Sequence, residues 1–412
     1  MNRIADIQTQ ARNTLQAASP NTYPDRSSEE WRKVRLDGVD VLSRSPGTFS
    51  LSLSASQHFG QPLESFQILN IKPNEVDSGN GAGEEIFPGV FHLPASDADV
   101  QERWAWLLNR ASETRDPFEL SNLAHTLPLA LRIKKDVSLR IRCISESGNL
   151  FLPSLYLDTA PNVEVDVILE TEDNATSEEQ DGLMWSSSAF VRAGSNARIR
   201  LVDIRKHGDM SFHFHRLDFL ESRDSNVHYC TIHRGGLTGK GFVRTRAAEK
   251  GAEFRGIGLY TGRAAQFHDM EMEISHEADH CDSTLHYKTV LKDRAHSVFN
   301  GSLVAPPHIR QINSHQTNNN IVLSKKARAE SMPRLIIQSE DVSCEHGATV
   351  GDLDEQALYF LQCRGIPLES ARRILIEGFM EEILSELRLD EQDLEQIRDQ
   401  LFPILDTGPG PS

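Results

Sequence analysis

The chain has 412 residues, a formal net charge of −17 and a charged-residue content of 25%. This acidic balance argues against nucleic acid as a partner, because phosphate groups bind basic surfaces. No apolar run approaches the roughly 18 residues of a membrane-spanning helix, so a membrane is not expected as a partner either. The polar stretch at residues 1–6 does not resemble a signal peptide, and we expect a cytoplasmic location.

The first 125 residues are predicted to form a mixed, partly helical region. Apolar residues recur at helical spacing over 3–18, where Ile7, Ala11 and Leu15 share a side. A second helix is predicted over 97–108, with Val100 and Trp104 on its apolar side. The run of glycine and polar residues at 77–85 predicts a flexible loop between them.

The pattern changes over residues 126–350, where alternation of apolar and polar residues predicts strands. Residues 270–280 alternate strictly, with Met, Ile, His and Ala on one side. More than 200 residues of short strands indicate a sandwich, a barrel or a stacked β-helix. A loose motif recurs at 252–256 (AEFRG) and 295–301 (AHSVFNG), 43 residues apart. This spacing favours a β-helix with coils of roughly twenty residues, and the acidic stretch at 170–181 predicts a protruding loop.

Residues 351–405 are predicted to form a helical domain. Asp352 and Glu355 resemble a capping box, and Gly365 is suited to the left-handed end of the helix that they begin. A second helix carries an apolar stripe over 371–387, which we expect to form the core of a bundle. Asp390 is predicted to cap a third helix that ends near Leu401. The tail at 406–412 is expected to be disordered.

Five cysteines form an odd set without a tight pairing pattern, which predicts reduced thiols in a reducing compartment. Among them, Cys344 lies two residues before His346, so both side chains project from the same side of an extended segment. Thiolate and imidazole are suited to iron, zinc or copper(I). Two ligands alone do not close a metal site. The ordinary alternative is a buried Cys344 and a His346 that caps the following turn, and Cys363 is expected to pack inside the helical domain.

Twelve of the sixteen histidines fall between His207 and His315. His213 and His215 share a face of a predicted strand, whereas His276 and His280 would lie about 13 Å apart along one. We therefore expect hydrogen-bonded histidines along the solenoid. A metalloenzyme would need at least three convergent ligands, which the spacing along single strands does not supply.

Several short blocks occur in one order over about 110 positions. They are residues 299–301 (FNG), 311–320 (QINSHQTNNN), 333–335 (PRL), 341–349 (DVSCEHGAT), 359–366 (YFLQCRGI) and 378–379 (GF). In this order they resemble the SufB/SufD family, scaffold subunits of the Suf iron–sulfur cluster assembly system. The resemblance covers most of the chain, most firmly 240–385. Glu345 is closer to SufB usage, but the length and the lack of cysteines before Cys143 favour the SufD branch.

The resemblance implies a mainly β fold, with a right-handed parallel β-helix core between an N-terminal mixed region and a C-terminal helical domain. It implies pairing with a SufB-like subunit, binding of a SufC-like ABC ATPase by the C-terminal helices, and a homodimer as one state of the isolated chain. Cys344 and His346 would lie near an interfacial site for nascent cluster assembly. Any iron or iron–sulfur cluster would be transient there, with none permanent in the isolated chain.

The same resemblance predicts that the chain is not an enzyme, because the ATPase activity lies in the partner. The phosphate-binding pattern GxxxxGK[ST] does not occur in this sequence. Aromatic and arginine side chains are favoured anchors of interfaces, and we expect three residues to contact the ATPase: Tyr359, Phe360 and Arg364.

The main alternative is a β-helix enzyme that acts on carbohydrates, such as a lyase or a glycosidase. Hydrolysis of a glycosidic bond needs two carboxyl groups on either side of that bond. No pair of acids stands out from the alternating pattern, where acids are mostly solvated. Features of secretion are also absent from the sequence.

Overall fold

The computed structural model describes residues 3–17, 31, 34, 44, 46–56, 83–114, 116–173 and 182–405. Most of the loop predicted at 77–85, most of the acidic loop predicted at 170–181, and the tail at 406–412 lie outside these residues. No helix in the described part is long and apolar enough to cross a membrane.

The N-terminal region combines helices with short strands. Its elements are α1 (Arg3–Gln16), β1 (Thr48–Ser56), β2 (Glu84–Phe87), β3 (Val90–His92), α2 (Ala98–Thr114) and α3 (Pro117–His125). The first predicted helix is confirmed, and the second continues to Thr114. Strand β1 and helix α3 were not predicted. Helix α3 begins where the Asp116 carboxylate accepts hydrogen bonds from the amides of Phe118 and Glu119, and Pro117 needs no donor partner there.

Seventeen strands follow, and three helices complete the described chain. The strands are β4 (Leu129–Ile133), β5 (Val137–Ser147), β6 (Leu150–Phe151), β7 (Ser154–Thr159), β8 (Glu164–Glu172), β9 (Met184–Ala193), β10 (Arg198–Lys206), β11 (Phe212–Glu221), β12 (Asn226–Arg234), β13 (Thr238–Ala247), β14 (Glu253–Gly262), β15 (Phe267–His276), β16 (Asp282–Leu291), β17 (His296–Ala305), β18 (Ile312–Val322), β19 (Arg328–Ile337) and β20 (Val342–Gly351). The helices are α4 (Glu355–Gln362), α5 (Leu368–Leu384) and α6 (Glu391–Leu401), with 3₁₀ turns at Ser385–Leu387 and Phe402–Leu405.

The strands wind into a β-solenoid of about 7 turns made of two facing sheets. From β8 onward, successive strands alternate between the sheets. Sheet A has the order β1-β5-β8-β10-β12-β14-β16-β18-β20, and sheet B has the order β19-β17-β15-β13-β11-β9-β7-β4-β3-β2. Apart from the N-terminal strands, neighbours pair in parallel. The predicted β-helix is therefore confirmed, and right-handed winding stays the sense expected for parallel crossovers.

The predicted coil length of roughly twenty residues is wrong. Phe212 pairs with Thr238, and Glu164 pairs with Arg198, so one full coil takes 26 to 34 residues. Each coil contains two strands of nine to eleven residues and two corners. The recurring alanines at 252 and 295 consequently precede strands in opposite sheets, β14 and β17, and do not mark equivalent positions.

The alternating pattern builds the interior between the two sheets. Met270, Met272 and Ile274 of β15 are buried while Glu271 and Glu273 are more exposed, as the alternation predicted. Several corners place a non-glycine residue in the left-handed region, among them Asn162 (φ 60°) and Asn196 (φ 56°). After glycine, asparagine is among the residues that best tolerate this conformation, which explains how these two short corners close their coils.

The terminal helices pack along the outer faces of the solenoid. Helices α1 to α3 form an apolar cluster with sheet B that includes Trp104, Tyr156 and Phe190. Helices α5 and α6 cover the outer face of sheet A through residues such as Met380 and Ile383. The apolar stripe at 371–387 was predicted to form the core of a separate bundle. This prediction is wrong, because the stripe packs on sheet A. The domain boundaries at 125, 350 and 405 stay a prediction.

Candidate functional site

Cys344 and His346 lie on β20, the last strand of sheet A. One edge of β20 pairs with β18, where Ser314 lies beside Cys344 and Gln316 beside His346. The sheet order ends at β20, so no further strand among the described residues pairs with its other edge. Backbone groups on such an edge are available to another strand. The two side chains therefore lie at the open end of the solenoid, a name used below for β19 and β20.

The alternation of β20 separates Cys344 and His346 from Glu345. Cys344 is half-buried and packs against the apolar interior, whereas His346 is exposed. The Glu345 side chain is 78% exposed on the opposite face, where a carboxylate oxygen lies 3.4 Å from Nδ1 of His315. The predicted shared side of Cys344 and His346 fits this arrangement, and the alternative of a fully buried Cys344 does not.

Burial raises the pKa of the Cys344 thiol above its ordinary value. A thiol is the protonated, weakly ligating form, so an ion that binds here would have to displace its proton. Among the described residues, the group of three donors close enough to share an ion includes neither Cys344 nor His346. A complete site at the open end would consequently need donors from a second chain.

Exposed apolar side chains lie on the same two strands of the open end. Ile336 of β19 is 52% exposed and Val350 of β20 is 53% exposed, and Leu335 is also exposed. Most of β20 is exposed on both faces, because no further coil covers it. Apolar side chains beside an unpaired sheet edge are typical of a surface that another protein covers.

Helix α4 places the three residues predicted to contact an ATPase on the surface. Tyr359 is 70% exposed, and Phe360 is exposed beneath the Arg364 guanidinium, whose carbon lies 3.4 Å from the ring centroid. No residue of α4 is buried. Cys363, predicted to be packed, is exposed at the end of this helix, because α4 projects from the solenoid. Its N-terminal cap is Asp354 and not Asp352, whereas the left-handed Gly365 (φ 80°) is confirmed.

The predicted positions of His276 and His280 on one strand are wrong. Strand β15 ends at His276, and His280 occupies the following corner with φ 59°. His276 is buried, and its Nε2 lies 2.9 Å from the Ser283 hydroxyl. This pair fits the expectation of hydrogen-bonded histidines and leaves no shared metal site.

Three other histidines converge at a place that spacing along single strands did not indicate. His213 and His215 project from β11 into the interior, and His233 reaches the same place from β12 in the facing sheet. All three are buried, with ring nitrogens within 4.8 Å of one another. Spacing along single strands could not have found this group, because its third member comes from the other sheet.

Two carboxylates that line a pocket of about 200 Å³ between α2 and sheet B, Asp99 and Asp218, are held by arginines. Asp218 lies 2.6 Å from a nitrogen of Arg103, and Asp99 lies 2.8 Å from one of Arg132. The arginines hold the pKa of Asp218 well below its ordinary value. A carboxylate fixed in this way cannot act as a general acid, which disfavours a carbohydrate enzyme at this pocket.

Fold and site together define a parallel β-solenoid whose last coil is open and carries side chains that could bind a metal. A family model described as "SUF system FeS cluster assembly, SufBD core domain" matches residues 142–379, more than half of the chain. The chain belongs to the SufBD family of iron–sulfur cluster assembly proteins and is SufD-like.

Three relatives illustrate the similarity. The chain is 26% identical over 402 residues to the iron-sulfur cluster assembly protein SufD of Escherichia coli, which covers 95% of this chain and 92% of that protein. It is 23% identical over 385 residues to a SufBD family protein of Synechocystis, with 89% and 84% covered. It is 32% identical over 148 residues to SufD of Bacillus subtilis, with 36% and 33% covered.

Proposed function

We propose that this chain is a non-catalytic scaffold subunit of a cytoplasmic iron–sulfur cluster assembly complex. It pairs with a SufB-like subunit through its open end, and two donors, Cys344 and His346, contribute to a nascent cluster at that interface. The observation that carries the proposal is the position of both donors on the terminal strand of a SufBD-family solenoid, beside exposed apolar residues.

Iron and sulfide are cargo in this proposal. One thiol and one imidazole from this chain leave coordination positions for the partner, and an incomplete set favours release over permanent binding. Binding also removes the Cys344 proton, whose pKa is raised by burial. The isolated chain holds no permanent cluster, and a homodimer through the same open end is the state expected in the absence of the partner.

The ATPase-binding part of the proposal concerns α4 and the helices after it. A SufC-like ABC ATPase contacts Tyr359, Phe360 and Arg364, which are exposed together on a helix without buried residues. Helix α5 is anchored to the solenoid, since the Lys288 ammonium donates to the Phe379 carbonyl at 3.0 Å. Movement of a bound ATPase would therefore be transmitted to sheet A.

Removal of the exposed imidazole tests the donor role. We expect His346→Ala to reduce cluster content in cells at least tenfold while the complex with the partner subunits still forms, because His346 makes no buried contact. The measurement is iron and labile sulfide per complex after co-expression and anaerobic purification. Glu345→Ala is the matched control on the opposite face, and wild-type cluster content in His346→Ala would contradict the proposal.

Assembly tests the partners. Co-expression with a SufB-like subunit and a SufC-like ATPase, followed by size-exclusion chromatography, should give one complex that contains this chain. The triple variant Tyr359→Ala, Phe360→Ala, Arg364→Ala should lose the ATPase and keep the SufB-like subunit, because α4 lies outside the solenoid. Elution of the wild-type chain alone beside intact partners would refute the scaffold role.

A further inference from the structure

Four buried histidines lie side by side inside the solenoid. One of them, His233, is on β12, which is four strands away from β20 in the order of sheet A. The ring centroids of His215 and His233 are 4.9 Å apart, and those of His213 and His233 are 5.6 Å apart. His268 of β15 completes the group, with its ring centroid 4.6 Å from that of His233. These four residues are called the interior histidine cluster below.

Glycines make the space that the cluster occupies. Strand β13 lies between β11 and β15, and its Gly239 pairs with His213 on one side and His268 on the other. A Cβ atom at Gly239 would lie 2.2 Å from Cε1 of His213, and one at Gly241 would lie 2.4 Å from Cε1 of His215. Any side chain at either position would displace an imidazole, so the local backbone is suited to these rings.

The ring nitrogens of the cluster are mostly unpartnered. Both nitrogens of His215, both of His233 and Nδ1 of His213 are buried without a hydrogen-bond partner among the described residues. Buried polar atoms are normally paired, because leaving one unpaired costs free energy. Five such atoms in one place point to a bound ion that several of these nitrogens coordinate at once.

The fourth histidine is oriented by a hydrogen-bond partner. Nε2 of His268 lies 3.2 Å from the Tyr287 hydroxyl, and its Nδ1 is buried and unpartnered. An imidazole that uses one nitrogen in such a contact and leaves the other free resembles a metal ligand with its outer partner. His268 is therefore a candidate fourth donor.

The electrostatics favour neutral imidazole, the form that binds metals. Burial is the main cause that lowers the pKa of His213, His215 and His233 well below its ordinary value and that of His268 to about 3; neighbouring histidines and the Arg205 and Lys240 cations lower it further. The two buried cations that act on them are already paired, Arg205 with Asp203 at 2.9 Å and Lys240 with Asp269 at 3.1 Å.

The geometry points to a site for one divalent first-row transition-metal ion, held by His213, His215 and His233 with His268 as a fourth donor, inside the solenoid and separate from the open end. Zn²⁺ and Fe²⁺ suit imidazole ligands. Tetrahedral coordination with nitrogen at 2.0–2.1 Å requires the nitrogens to lie about 3.4 Å apart. Small side-chain rotations reach that distance from the separations within 4.8 Å among His213, His215 and His233. The His268 ring, with its centroid 4.6 Å from that of His233, is near enough to complete the set.

Co²⁺ is the probe for this site, because tetrahedral Co²⁺ absorbs visible light. Metal-free protein carrying Cys344→Ser and His346→Ala, which removes the donors at the open end, should bind one Co²⁺ per chain and melt at a higher temperature with it. His215→Gln and His233→Gln should each weaken Co²⁺ binding by about 100-fold or more, because each removes a ligand. His228→Gln, on the same strand as His233 and outside the cluster, is the matched control.

Two outcomes would overturn the site. One is that the protein binds no stoichiometric Co²⁺, either when the native protein is titrated with the ion or when it is refolded with it. The cluster would then hold water alone. The other is unchanged binding in the double variant His215→Gln, His233→Gln. If these variants fail to fold, anomalous scattering from Zn²⁺ in crystals of the unaltered chain decides: an ion between the three rings supports the site, and an ion elsewhere or none refutes it.

Discussion

At the scale of single residues, burial changes the protonation of a carboxyl group that is not part of the proposed sites. Glu221 is fully buried and accepts a hydrogen bond from the Thr245 hydroxyl, and its other oxygen has no partner among the residues that the structure describes. Burial is the main cause that raises its pKa from 4.5 to about 8. Between these values the folded chain binds a proton that the unfolded chain releases, so stability falls as pH rises through this window.

We expect Glu221→Gln to remove this loss, because an amide does not ionise. Relative to the unaltered protein, the variant should gain about 1.4 kcal/mol in the free energy of unfolding for each pH unit between about 5 and 8. Urea unfolding at pH 5 and pH 8 measures the difference. The exposed Glu146→Gln on β5 serves as the control, and a parallel pH dependence of the two variants would show that the Glu221 carboxylate is tolerated in the fold.

At the scale of elements, α5 has one face on sheet A and one in solvent. Ile383 is fully buried in the cluster between the helix and the sheet, whereas Ile374 of the same helix is 45% exposed. Truncation of a buried isoleucine removes apolar contacts and leaves a cavity. The two residues therefore separate packing from helix propensity on a single helix.

Ile383→Ala is expected to lower the free energy of unfolding by about 2–5 kcal/mol. Ile374→Ala should change it by about 0.5 kcal/mol or less, because little apolar surface is lost. Chemical unfolding provides the free energies, and amide hydrogen exchange reports whether α5 detaches before the solenoid unfolds. Equal effects of the two substitutions would indicate that α5 does not pack on sheet A as described.

At the scale of the whole molecule, helices of the same chain pack on both sheets of the solenoid, whereas no described helix packs on its C-terminal end. Helices α1 to α3 lie on sheet B, and α5 and α6 lie on sheet A. Strands β19 and β20 carry exposed apolar residues, and within the described parts of the chain no strand pairs with their outer edges. A second protein can satisfy those edges by adding a strand, which accounts for the placement of the proposed interface.

Ile336→Glu introduces a charge at this end without touching the interior. We expect it to weaken association with a SufB-like subunit by about tenfold or more, because the carboxylate would be desolvated on binding. Analytical ultracentrifugation of mixed subunits gives the dissociation constant. Ile374→Glu, at a similarly exposed isoleucine of α5, should leave it unchanged, and a lack of difference between the two variants would place the interface elsewhere.

The sequence by itself determined the fold class and the family, because strand alternation, helix caps and short sequence blocks are features of neighbouring residues. Alternation over β15, the cap at Asp390 and the left-handed Gly365 each depend on neighbours along the chain. The ordered blocks around Cys344 and His346 were enough to indicate the SufBD family, and the comparison with known proteins supports it. The roles of these two residues stay a prediction.

Only the tertiary structure decided how coils stack. The coil length, the packing of α5 on sheet A, the exposure of Cys363 and the convergence of His213 and His215 with His233 all depend on residues far apart in sequence. Periodicity within a strand shows which side a residue faces. It carries no information about the register between strands or about which residues of the facing sheet lie opposite. The interior histidine cluster exists because two sheets meet there, and no single stretch of sequence specifies that meeting.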